Sequence, residues 1–129
     1  MANPALALLE FESVAAGIQA ADAVVKRAPI AVLKAGTVHP GHYLVLFAGS
    51  VAAVTESHQA GTDAGGAFLI DEVLLPDVHR EVHDTSLGAR RPLSGDALGV
   101  LETRGVASLL RAADAAVKGA RVAIAEIRL

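Results

Sequence analysis

The spacing of apolar residues along this chain changes period several times, and each change marks an element. Ala5 to Phe11 is an apolar run of strand length, interrupted only by Glu10. From Val14 the spacing turns helical: Val14, Ile18, Ala21, Val25 and Ala28 share one face, Ser13 is placed as N-cap, and Pro29 stops the helix. Ile30 to Leu33 predicts a second strand, so strand, helix and strand form a βαβ unit. Gly36 to Gly41 reads as a loop, punctuated by its glycines and Pro40. His42 to Ala48 is the third strand and the most apolar. Ser50 caps a helix over Val51 to Ala60, and Gly61, Gly65 and Gly66 mark its end. Ala67 to Leu75 is the fourth strand, closed by Pro76. The order β-α-β-β-α-β is the ferredoxin-like, split-βαβ arrangement of an α/β (α+β) domain.

Asp77 to Val82 is read as adding a short helical turn, and His83 to Asp96, with Gly88, Pro92, Ser94 and Gly95, as a linker. The first elements then return. Ala20-Ala21-Asp22-Ala23-Val24-Val25-Lys26 reappears as Ala112-Ala113-Asp114-Ala115-Ala116-Val117-Lys118. Ala5-Leu6 and Leu9-Glu10 reappear as Ala97-Leu98 and Leu101-Glu102, and Ile30 to Leu33 is answered by Val122 to Ala125. One offset of 92 residues, from Asp22 to Asp114, serves every pair without a gap. A period this long suits two copies of a small domain rather than a solenoid. The expected organisation is a complete domain over 1–82, a linker over 83–96, and the first half (β-α-β) of a second domain over 97–129.

Composition narrows the possibilities. The aromatic residues are Tyr43 and three phenylalanines, too few for a ligand-stacking surface. Absence of cysteine excludes disulfides and cysteine-held metal clusters. A net charge of −3 gives no general affinity for nucleic acid. No apolar run reaches a membrane span, and the N-terminal region, with Glu10 and Glu12, lacks the basic start of a signal peptide. A cytoplasmic protein is the expectation.

Ala97-Leu98-Gly99-Val100-Leu101-Glu102-Thr103-Arg104-Gly105, with Ala112-Ala113-Asp114-Ala115 and Lys118, resembles the opening of a bacterial microcompartment shell domain. The first unit resembles the same domain from Ala5 to Pro76. Thr37-Val38-His39-Pro40-Gly41-His42-Tyr43-Leu44 is similar to the pore loop of tandem shell proteins, which form trimers of pseudo-hexameric outline. The resemblance implies a tile with a central opening for small metabolites, lined by Thr37, Val38, His39, Pro40 and Gly41. It also implies edge roles for Lys26 and Lys118, donating to backbone carbonyls across the seam between tiles. A tandem member from propanediol utilisation carries an iron–sulfur ligand cysteine in the place of His39; with no cysteine here, no cofactor is expected. The Arg-Pro-His ending of many single-domain members is replaced by Leu75-Pro76-Asp77-Val78-His79, which removes their edge arginine.

The candidate residues also have plainer readings. Lys26 and Lys118 lie near helix C-termini, where the dipole favours a solvated lysine. Asp22 and Asp114 sit mid-helix, where Asp is a mediocre former, and are either subunit contacts or solvent-facing charges. His39 and His42 form a weak His-x-x-His signal. Threefold symmetry turns one His39 into three, so zinc, anion binding, pH gating and simple pore lining all stay open, with lining favoured. Catalysis finds little support. Asp71-Glu72 are adjacent on a strand and point to opposite faces, Glu10-Glu12 is likewise not read as a dyad, Ser57-His58 lacks a third member, and the glycines fit no nucleotide fingerprint.

The expected function is therefore a structural, non-enzymatic facet protein of a microcompartment shell, assembling into trimers and sheets with other shell proteins. A second chain or a missing C-terminal segment is expected to complete the second domain. Nucleic acid and membrane are not expected partners. The alternative is a ferredoxin-like trimer that binds a small effector and regulates a partner.

Overall fold

The computed structural model describes residues 4–92 and 94–129, so the domain expected over 1–82 is seen from Pro4 onward. Its elements are β1 (Ala5–Phe11), α1 (Val14–Arg27), β2 (Val32–Val38), β3 (His42–Gly49), α2 (Val51–Gly65), a 3-10 turn (Gly66–Phe68), β4 (Leu69–Leu75), α3 (Arg80–Ser86) and α4 (Val106–Gly119). The four strands form one antiparallel sheet in the order β2-β3-β1-β4. β1 and β2 run the same way but are separated by β3, which is the split-βαβ topology the element order predicts.

Every residue of β1 is buried, because the sheet is covered on both faces. Ala5, Ala7, Leu9 and Phe11 point to one side and join Val45, Phe47, Ala20, Val24 and Val54 under α1 and α2. Leu6 and Leu8 point to the other side and join Leu46, Val73, Val78, Val82, Ala107 and Leu110 under α3 and α4. The side chains of a strand alternate between faces, so a strand buried on both sides must be apolar throughout, as Ala5 to Phe11 nearly is. Glycines set the close approach of α1 and α2. A Cβ on Gly65 would stand 2.0 Å from the Phe11 ring, and one on Gly17 would stand 2.4 Å from Tyr43.

Both long helices of the first unit begin as expected. The Ser13 hydroxyl accepts from the Ala16 amide, and Ser50 accepts from Ala53, each at 3.2 Å. Their other boundaries differ. α2 continues past Ala60 to Gly65, since Gly61 and Gly65 serve packing against Leu9, Val24 and Phe11 rather than ending the helix. β2 starts later and extends through Gly36, Thr37 and Val38, which were expected in a loop. These pair with Leu44, Tyr43 and His42, and an apolar β3 offers that ladder regardless of the glycine. β4 starts at Leu69 rather than Ala67, after the 3-10 turn. The short helix after β4 runs to Ser86 with Val82, Thr85 and Ser86 buried, so the segment expected as linker from His83 opens inside an ordered helix.

The second unit departs most. Its helix forms as α4, but Ala97 to Arg104 and Val122 to Ala125 are not strands. The expected β-α-β is corrected to a helix with irregular flanks. The physical reason lies in the first unit, where the equivalent β1 is held by β3 and β4. Among the described residues nothing plays those two parts for the second unit, and a strand without a partner has no ladder to stabilise it.

Candidate pore hairpin and helix seam

The hairpin between β2 and β3 carries the residues expected to line an opening. Its last ladder pairs are Thr37 with Tyr43 and Val38 with His42. The chain reverses through His39-Pro40, a cis peptide, and Gly41, whose amide donates to the Val38 carbonyl at 3.0 Å. Gly41 has φ +92°, a conformation that side chains rarely adopt, so glycine is required there. Thr37, His39, Pro40 and Gly41 are exposed and Val38 is half-buried. All five expected lining residues therefore sit together at one tip, with Thr37 and Val38 on the strand end rather than in the loop.

His42 does not share that tip's exposure. Its Nδ1 lies 2.8 Å from the Glu10 carboxylate, and Glu10 is buried on the central strand. The one carboxyl group inside the β1 run is thus matched by a histidine, as a buried polar group requires. A lone Glu in an otherwise apolar strand was the signal for this pair, and the His-x-x-His spacing obscured it. Among the described residues no three histidine, aspartate or glutamate side chains gather as a metal site within one copy. The hydroxyl of Ser57 is buried and donates to the Val24 carbonyl, tying α2 to α1. His58 pairs with Glu72 at the sheet edge, while Asp71 accepts from the Glu72 amide.

The repeated Asp–Lys pairs have unlike settings. On α1, Lys26 meets Asp22 at 2.7 Å and both face solvent. On α4, Lys118 meets Asp114 at 2.8 Å, but Asp114 is buried and also accepts from the His79 amide at 2.8 Å. Lys118 donates to the Asp77 carbonyl. A lysine donating to a backbone carbonyl is the contact expected of an edge, and for Lys118 that carbonyl belongs to the same chain. Glu81 of α3 closes the seam on its other side, accepting from the Ile124 amide and from Arg91. The tie was missed in the sequence because its partners lie ten and forty-three positions away.

The comparisons with known proteins agree with this architecture. The BMC domain family model matches residues 5–78 and again 97–129. The bacterial microcompartment shell protein PduT of Citrobacter freundii is 34% identical over 127 residues, spanning 98% of this chain and 69% of PduT. The crystal structure of a microcompartment protein from Desulfitobacterium hafniense DCB superposes with a TM-score of 0.82 at 38% identity, over 98% of this chain and 71% of that one. With two separate matches at the offset read from its own repeat, the chain belongs to the BMC-domain family of bacterial microcompartment shell proteins, in its tandem form.

Proposed function

We propose that the protein is a facet component of a microcompartment shell, structural rather than catalytic, whose copies tile around a central opening. The observation that carries the proposal is the β2–β3 hairpin. Thr37, Val38, His39, Pro40 and Gly41 meet at an exposed tip whose turn needs Gly41, while the central strand β1 is buried throughout. Three copies about an axis would bring three such tips together, and their size and polarity would select what passes. In the same reading, strands of the β3 and β4 kind from another segment or chain complete the unit around Leu98 and Val122. They would leave a tandem subunit of two BMC domains, three of which make a pseudo-hexamer.

Overexpression followed by electron microscopy tests the tile: extended sheets or tubes are the expected result. Discrete trimers that never extend would favour a small-ligand regulator instead. For the opening, His39→Ala should leave sheets intact while changing the passage of charged metabolites through them. A trimer with His39 on its outer rim would remove the pore role.

A further inference from the structure

The far face of the sheet is not filled out to its β2 edge. Between β2 and the segment 126–129 lies an open cleft of about 410 Å³, floored by Val38, Leu44 and Leu46. Ile127 forms an apolar wall and packs against the same buried cluster as that floor. Gly36 keeps the floor low, since a Cβ there would meet nothing within 4 Å. Residues 34, 36 and 38 share one face of the strand, so Lys34 stands over this space beside Gly36. The volume falls within the range of about 300–1,000 Å³ typical of small-molecule sites.

The charges at the mouth of the cleft are one-sided. Lys34, Arg90 and Arg128 line it against a single carboxylate, Glu126. Glu126 gathers the two guanidinium groups, with Arg128 at 3.0 Å and Arg90 at 3.2 Å from the same oxygen. The Arg128 hydrogen bond holds the Glu126 carboxyl below its ordinary range, so it stays ionised and keeps both arginines at the rim. Together they offer more N–H donors than one carboxylate can use. Among the described residues Lys34 has no ion-pair partner. This local excess of cations stands out on a chain whose net charge is −3.

We propose that the cleft binds a small organic anion. Lys34, Arg90 and Arg128 hold its carboxylate or phosphate head, and its aliphatic part lies on Val38, Leu46 and Ile127. The arginine forks match the oxygens of either head group, and the lysine adds a point charge. Thr37 and Val38 belong both to the cleft wall and to the β2–β3 hairpin. A bound anion therefore touches the base of the hairpin and, through it, the opening. That last link rests on the shell reading, whereas the binding site itself does not.

Saturation-transfer NMR on the full chain, with butyrate and butyl phosphate as probes, tests the site. Both butyl groups should take up saturation in a saturable way, with a dissociation constant on the order of 1 mM. Butylamine and butanol carry the same tail on a cationic or neutral head, and should bind at least about tenfold more weakly. Lys34→Gln should weaken both anions by about fivefold or more. Arg27→Gln, on the helix layer across the sheet, should leave them unchanged. Gly36→Val fills the open floor with a good strand former, so it should abolish binding in a chain of unchanged circular dichroism. Equal binding of butylamine, no saturable signal from either anion, or undiminished binding by Lys34→Gln and Gly36→Val would overturn the site. Binding of one anion alone would assign the head group as phosphate or as carboxylate. Sheets formed by a protein that binds neither probe would remove the site and leave the shell reading standing. Binding by a protein that never tiles would keep the site and remove its link to an opening.

Discussion

Asp22 and Asp114 are one residue of the repeat under two conditions, and they separate what a side chain is from what it does. Asp114 is buried, accepts from the His79 amide and holds Lys118. Asp114→Ala leaves that amide without its partner, so a loss of about 1–3 kcal/mol is expected in urea unfolding. Asp22→Ala removes an exposed pair, and the same measurement should move by less than about 0.5 kcal/mol. Equal losses would show that the seam does not depend on the buried carboxylate. Gly65 gives a second residue-level test, because Phe11 fills the place of its missing side chain. Gly65→Val should cost roughly 1–3 kcal/mol by overpacking, and an unchanged midpoint would show that α2 is free to move. The sequence displayed both aspartates equally. Their difference depends on which sheet face receives each helix, and no local pattern carries that.

For elements, the helices were legible and the strands only partly so. Helix periodicity and the serine caps are local properties, and α1 and α4 form where they predict, while α2 starts at its cap but runs on to Gly65. A strand also depends on its neighbour. β2 gained Gly36 to Val38 from pairing with β3, and the apolar runs of the second unit stayed irregular for want of partners. The candidate hairpin was legible as a motif because Gly41 and Pro40 fix the turn. The Glu10–His42 pair was not, since it joins residues 32 positions apart. The seat of α4 predicts an imbalance between twin positions. Leu110→Ala should destabilise the chain by about 2–5 kcal/mol. Ile18→Ala, on the matching but open stripe, should change stability by less than about 0.5 kcal/mol when the chain is dilute. A large loss at Ile18 under those conditions would mean the stripe is already covered.

At the level of the whole molecule, the sheet is the middle of three layers, with α1 and α2 on one side and α3 and α4 on the other. Exposed apolar residues cluster on α1 and around Leu98 to Leu101, with Val32, Leu33 and Ile70 on the two outer strands. Assembly should bring both regions out of water together. Amide exchange over Leu98 to Leu101 is expected to be fast in dilute protein and slowed in assembled protein. The amides of β1 should be protected in both states. Protection of the second segment that never changes with concentration would count against its joining a neighbour. The sequence announced this organisation through the repeat, but not that α4 would serve as the far layer of the first unit.

The burial of β1 on both faces has a consequence for how the protein is made. The strand that ends up deepest is synthesised before its partners β3 and β4 and its cover α4. At about 5–20 residues per second, the roughly sixty residues between the ends of β1 and β4 take several seconds to synthesise. Until β4 is made, Ala5 to Phe11 is an apolar segment with Glu10 as its one charged residue, and its full set of partners is incomplete. Slowing translation lengthens that interval, so yield of soluble protein should depend more on chaperone supply than on the stability of the finished fold.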